Sequence, residues 1–280
     1  MPTKTRVALI TGCSSGLGEA LATHCLNLGY RVYATARCAE DIRIDHSNIL
    51  RRALDVADTE AVGRLCDEIQ RDNPRLDLLI NNAGYGAMGP LLDLPIDRLQ
   101  QQLAINTVAP LHLVQRVIES LHAGSTVVNI GSVSAGLGTP FAGGYCASKS
   151  ALHTLSDVLR MELAPFGVQV MVVRAGAIQS KFANRASAEL ANSTLSPRYQ
   201  PLAARIAERA GLSQRDATPA MVVAEKIIAA AEKRRSPPYL GVAHGHRSLH
   251  LLGQLPSRLK DAILERRFGL RQLAKDVDGG

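Results

Sequence analysis

Residues 6–18 read Arg6-Val7-Ala8-Leu9-Ile10-Thr11-Gly12-Cys13-Ser14-Ser15-Gly16-Leu17-Gly18, an apolar run that breaks into a glycine-rich turn. A helix-like pattern follows through Leu28 and stops at Gly29, a residue type that readily closes helices. The stretch predicts strand, glycine turn, helix. Glycine lets the backbone approach a pyrophosphate, while Ser14, Ser15 and the amides at the helix start can donate hydrogen bonds to its oxygens. The spacing differs from the G-x-G-x-x-G fingerprint, so an ordinary strand-to-helix turn stays open on these residues alone.

Further strand-like runs lie at Val32–Ala36, Ile49–Leu54, Leu76–Ile80, Thr126–Ile130, Val168–Val173 and Tyr239–Val242. Helical patterns separate them at about 59–71, 96–121, 145–166 and 219–233, with Thr218 as the cap and Pro219 as the first residue of the last. Apolar strands alternating with helices predict an α/β fold, a Rossmann-type doubly wound parallel sheet in three αβα layers. Ligands should gather at the carboxyl ends of its strands. Thr11, Arg37, Asp55 and Asn82 fall there, and Ser132 lies just past the fifth strand. Asn106, a mediocre helix former, sits in the middle of the 96–121 pattern. Each of these residues, taken singly, also has a structural use, such as capping a turn or satisfying a carbonyl.

Two segments break the alternation. Residues 179–218 are polar, contain Pro197 and Pro201, and carry one short helix-like run, Leu202–Ala210; an insertion after a late strand is expected to be a substrate lid. From His244 the chain becomes leucine-rich and basic, with Ser257 as a helix cap and Leu259, Ala262 and Ile263 as an apolar stripe. That C-terminal helical extension, 244–280, is expected to pack on the domain or to make a subunit or peripheral membrane contact. One domain over residues 1–280 is expected, since a chain of this length can close a single α/β core.

The 280 residues carry a formal charge of +7, which allows attraction to phosphates or anionic surfaces without selecting one. An aromatic content of 4% without tryptophan gives no support for base stacking, so nucleic acid is not an expected partner. No apolar run reaches membrane-spanning length and the N-terminus has no signal-peptide pattern, which leads to the expectation of a cytoplasmic protein. The five cysteines lack metal-ligand spacing; reduced thiols and no metal site are expected.

Tyr145-Cys146-Ala147-Ser148-Lys149 sets a phenol and an ammonium four positions apart on one helical face. A lysine charge about 5 Å away, at an effective dielectric of about 20, favours phenolate by roughly 3 kcal/mol, or about 2 pKa units. On that reckoning the tyrosine approaches neutrality and serves as acid or base.

Thr11-Gly12-x-x-x-Gly16-x-Gly18, Asn81-Asn82-Ala83-Gly84, Asn106, Ser132 and Tyr145-x-Ala147-Ser148-Lys149, in this order, resemble the classical short-chain dehydrogenase/reductase family over about residues 6–180. The resemblance implies an NAD(P)-dependent alcohol/carbonyl oxidoreductase. It makes Tyr145 the proton donor or acceptor, Lys149 the holder of the nicotinamide ribose, Ser132 the binder of the substrate oxygen and Asn106 the holder of a relay water. It also places Gly12, Ser14, Ser15, Gly16, Leu17 and Gly18 at the pyrophosphate and Asp55 and Val56 beside the adenine. Asn82, Ala83 and Gly84 would support cofactor and sheet, with Ile178 and Ser180 at the nicotinamide amide. Ala175-Gly176 departs from the family's usual Pro-Gly, and Ser180 replaces the commoner threonine. Arg37 at the end of the second strand favours NADP(H), with NAD(H) possible, because a guanidinium can pair with a 2′-phosphate. The leucine-rich tail is similar to members acting on steroids, retinoids or acylated lipids, so a bulky apolar alcohol or ketone is the expected substrate, with an NAD(H)-dependent reductase of a small polar metabolite or a non-catalytic dinucleotide-binding sensor as the alternatives. The expected assembly is a homodimer or homotetramer.

Overall fold

The computed structural model describes residues 5–191, 194–214 and 216–277. Seven strands form one parallel sheet: β1 (Val7–Ile10), β2 (Arg31–Ala36), β3 (Ile49–Ala53), β4 (Leu76–Asn81), β5 (Leu121–Ile130), β6 (Gln169–Ala175) and β7 (Tyr239–Val242). Their spatial order is β3-β2-β1-β4-β5-β6-β7. The order reverses between β1 and β4, which opens a crevice at the strands' carboxyl ends.

Strand periodicity explains the two buried faces. Successive side chains point to opposite sides, so Ala8 and Ile10 enter one core while Val7 and Leu9 enter the other. The first core is covered by α1 (Gly16–Asn27) and α8 (Ala220–Ala231), the second by α2 (Thr59–Asp72), α4 (Ala109–Val117) and α5 (Gly143–Leu163). Asp58 caps α2, its Oδ1 accepting from the Glu60 and Ala61 amides at 3.0 Å each. These bonds satisfy donors that the helix itself cannot.

The structure departs from the sequence reading at four places. The expected helix 96–121 is α3 (Ile96–Leu103), a π turn (Ala104–Val108), α4 and a 3-10 turn (Ile118–Ser120). Pro110 brings no N–H to the Asn106 carbonyl four residues back, so the α ladder cannot run through this point. Thr218 does not cap α8; it bridges to Ile178, and its Oγ1 accepts from the His244 amide at 3.0 Å, leaving Pro219 at the cap position. The 179–218 segment holds two helices, α6 (Phe182–Ala191) and α7 (Ala203–Gly211), where one short one was expected.

The fourth departure is in the C-terminal segment, which forms α9 (His246–Gly253), α10 (Ser257–Phe268) and α11 (Leu270–Val277). Pro256, not Ser257, takes the cap position of α10. Leu259 and Ile263 of the expected stripe are exposed; Leu264 and Phe268 are the buried pair, packed with Leu137, Phe141, Leu202 and Ile206. The lid helices decide which face of α10 is covered, and no local pattern encodes that. Among the described residues no helix is long and apolar enough to cross a membrane.

Candidate active site

The glycine turn is shaped by backbone contacts. Gly12 and Gly16 adopt left-handed φ values of 75° and 63°, and a Cβ on Gly18 would overlap the Gly12 carbonyl oxygen. Only glycine fits there without moving main chain. Ser15 occupies the cap position of α1 without a side-chain bond to the helix amides, so those donors face the crevice mouth. Across the switch point Thr11 Oγ1 accepts from the amides of Asn82 (3.0 Å) and Ala83 (2.9 Å). Asn82 Nδ2 answers by donating to the Thr11 carbonyl at 2.8 Å and the Gly12 carbonyl at 3.2 Å. The two loops are thereby clasped to each other.

A cavity of about 1010 Å³ runs from this turn along the sheet edge to the lid. It is lined by Gly12, Ser14, Ser15, Leu17, Gly18, Arg37, Asp55, Val56, Asn82, Ala83, Gly84, Ser132, Tyr145, Lys149, Ile178 and Ser180. Residues spread over more than half the chain thus share one wall. Two expected members do not reach it. Gly16 packs against Ser180, which a Cβ would strike. Asn106 is fully buried, and its amide is spent on protein: Oδ1 accepts from the Tyr85 amide at 2.8 Å, and Nδ2 donates to the Tyr85 carbonyl at 2.7 Å and to Ser148 Oγ at 3.0 Å. The side chain shapes the loop after β4, so the relay-water role is not carried by its amide.

Tyr145 and Lys149 stand one turn apart on α5, but the lysine is not aimed at the phenol. Lys149 Nζ donates to the Ile130 carbonyl at 2.8 Å and lies 6.0 Å from the Tyr145 ring centroid. Burial brings the ammonium down to about 8. The Tyr145 phenol is pushed up, because burial outweighs the opposing effects of the Ser132 hydroxyl and of a cation that the sequence reading did not consider, Arg209. The expectation of a phenol drawn toward neutrality by Lys149 is therefore corrected for the protein alone. Desolvation of the phenolate exceeds what nearby cations recover, and the Lys149 ammonium is spent on the Ile130 carbonyl.

Ser132, at the end of β5, is held from two sides. Its Oγ accepts from the Ser134 amide at 3.1 Å, and its own amide donates to His153 Nε2 at 3.4 Å. His153 is lowered to about 4, first by burial and then by the Lys149 charge, so it is neutral at pH 7 and can accept that bond. Phe182 of α6 lies 5.6 Å from the Tyr145 ring, centroid to centroid, and covers it from the lid side.

Sequence reasoning missed three residues around this site. Tyr85 supplies the backbone that Asn106 holds, His153 supports Ser132, and Arg209 projects from α7. Arg209 had a legible signal: it follows the buried Leu202 and Ile206 by seven and three positions, where helical spacing calls for an apolar side chain.

The sequence model of the short chain dehydrogenase family matches residues 6–191, and the chain belongs to that family. It is 36% identical over 179 residues to a probable short-chain type dehydrogenase/reductase, VdlC, of Helicobacter pylori, covering 63% of this chain and 66% of that one. It is 35% identical over 184 residues to an NADPH-dependent 1-acyldihydroxyacetone phosphate reductase of Schizosaccharomyces pombe, covering 64% and 62%. Both alignments therefore span somewhat less than two thirds of the relative's length. A solved short chain dehydrogenase/reductase from Burkholderia phymatum, in complex with NAD, superposes with a TM-score of 0.75 at 26% identity, covering 95% of this chain and 96% of the other.

Proposed function

We propose that the protein is an NADP(H)-dependent oxidoreductase that interconverts an alcohol and a ketone or aldehyde. The observation that carries this reading is the common wall: Ser132, Tyr145 and Lys149 line the same cavity as the glycine turn and Arg37. The groove fits a dinucleotide on its own features, since a Cβ at Gly18 would fill the turn and the α1 amides have no side-chain cap. Gly12, Ser14, Ser15, Leu17 and Gly18 would hold the pyrophosphate, Asp55 and Val56 the adenine, Arg37 the 2′-phosphate, and Asn82, Ala83, Gly84, Ile178 and Ser180 the nicotinamide side. When bound, the nicotinamide supplies or accepts the hydride.

The chain's own residues handle the oxygen. Tyr145 gives its proton to the carbonyl oxygen during reduction, or takes it from the hydroxyl during oxidation, and Ser132 donates a hydrogen bond to the same atom. Lys149, lowered to about 8, keeps most of its charge at pH 7 and opposes build-up of positive charge nearby. Phe182 limits water at the phenol from the lid side. The cavity is also lined by Met88, Leu137, Leu249, Leu252, Leu264 and Phe268, which supports a bulky apolar substrate body. The S. pombe relative's NADPH dependence and the Arg37 position both favour NADP(H) over NAD(H).

The test is a panel of apolar ketones, aldehydes and alcohols assayed with NADPH or NADP, run in parallel on Tyr145→Phe. Turnover with at least one class, lost in the variant while NADPH binding persists, is expected. A variant with wild-type kcat would overturn the role of Tyr145.

A further inference from the structure

Among the described residues Arg209 is a cation without a paired carboxylate. It sits near the end of α7 on the face that carries the buried Leu202 and Ile206, so helical geometry drives its guanidinium inward over the apolar cluster. Nη2 donates to Thr139 Oγ1 at 2.9 Å, while Nε is fully enclosed and has no hydrogen-bond partner. The titratable groups nearest in effect are the Cys146 thiol, the Tyr145 phenol and a second cation, Arg267 of α10; no carboxylate among the described residues is paired with it. Ser213, four residues further on, has an equally enclosed hydroxyl without a partner. Arg209, Arg267, Thr139 and Ser213 all line the cavity that holds Tyr145.

A partly buried guanidinium whose enclosed Nε–H is unused, with a like charge nearby, is costly unless a ligand completes it. Two guanidiniums and two hydroxyls lining one cavity form a donor set that matches a carboxylate or phosphate, and its two positive charges repel a cation. The subsite shares its cavity with Tyr145, and the Arg209 charge is near enough to act on that phenol. Leu137, Leu252, Leu264 and Phe268 line the same cavity and suit an apolar body.

We propose that Arg209, with Arg267, Thr139 and Ser213, is an oxyanion subsite, and that the substrate is an anionic amphiphile whose carbonyl or hydroxyl lies a few bonds from a carboxylate or phosphate. The substrate statement rests on the oxidoreductase reading above; the anion subsite does not. It amends the purely apolar substrate that the leucine-rich tail suggests.

Binding and turnover separate the two. By calorimetry, the full-length protein should bind decanoate or decyl phosphate at least tenfold more tightly than decanol, and the tighter of the two anions identifies the head group. Arg209→Gln should lose that preference, and Arg267→Gln, a change at an exposed position, should lose part of it even if the first variant folds poorly. With NADPH, a medium-chain γ-keto acid should exceed its methyl ester in kcat/KM by roughly ten- to a hundredfold, with the loss in Arg209→Gln falling on KM for the acid. Equal binding of decanoate, decyl phosphate and decanol would overturn the subsite, as would an Arg209→Gln defect that slows acid and ester alike through kcat. Reduction of ketones without preference for the acid would sink the subsite and leave the oxidoreductase standing. Anion binding without turnover of any carbonyl would do the reverse.

Discussion

The side chain of Asn106 is bonded on both edges to the backbone of Tyr85, accepting from its amide at 2.8 Å and donating to its carbonyl at 2.7 Å. One amide therefore does for the loop after β4 what a neighbouring strand would do. Asn106→Ala leaves both Tyr85 groups without their partner and is expected to cost about 2 to 4 kcal/mol. Asn106→Asp should cost more, since it turns a buried carboxylate toward the Tyr85 carbonyl. Urea denaturation checks both, and a loss under about 1 kcal/mol in either variant would contradict the role.

Lys149 gives a stability prediction with a defined sign. Its folded value is about 8 against an ordinary 10.5, so between these values the unfolded chain binds more protons and stability rises with pH. The gap corresponds to about 3 kcal/mol, held against the folded state below pH 8 and relieved by pH 10.5. Lys149→Met removes that penalty and also the bond to Ile130, worth about 1 kcal/mol, so a net gain of about 2 kcal/mol at pH 7 is expected, together with loss of turnover. The advantage over wild type should shrink as pH rises through this window. Chemical denaturation at pH 7 and pH 10 measures it; a variant less stable than wild type at pH 7 would refute the prediction.

Arg37 lines the cavity at the end of β2, where a 2′-phosphate would meet it. Removing a charged hydrogen-bond partner costs about 1.5 to 3 kcal/mol, so Arg37→Ala should weaken NADP(H) by roughly ten- to a hundredfold. NAD(H) should change little. Titration of both cofactors against both proteins decides the matter, and equal losses would remove Arg37 from the specificity argument.

Phe268 joins the tail to the lid. Its ring meets Phe141 edge-on at 6.2 Å, inside the cluster formed with Leu202, Ile206 and Leu264. Phe268→Ala removes a side chain whose burial is typically worth about 3 to 5 kcal/mol. The expected result is faster proteolytic cleavage of the C-terminal helices and a higher KM for large substrates than for small ones. Cleavage rates and KM values equal to wild type would show that the tail does not hold the cavity closed.

What the sequence determined by itself was governed by neighbours in the chain. Strand periodicity at Val7–Ile10, the glycine turn with its left-handed Gly12 and Gly16, and the four-residue spacing of Tyr145 and Lys149 obey local geometry, and the structure keeps them. The assembly of Arg37, Asp55, Asn82 and Ser132 on one cavity followed from a single rule, that a parallel sheet collects its strand ends at one edge. Tertiary structure decided the charges and the covers. Lys149 faces the Ile130 carbonyl, Asn106 is drawn into the Tyr85 backbone, and burial raises the phenol that Lys149 was expected to lower, with Ser132 and Arg209 only partly opposing it. These outcomes depend on how far each group is desolvated and on which distant segment arrives beside it. Spacing in the chain carries no record of either, because burial and long-range contact exist only once the sheet, the lid and the tail have packed together.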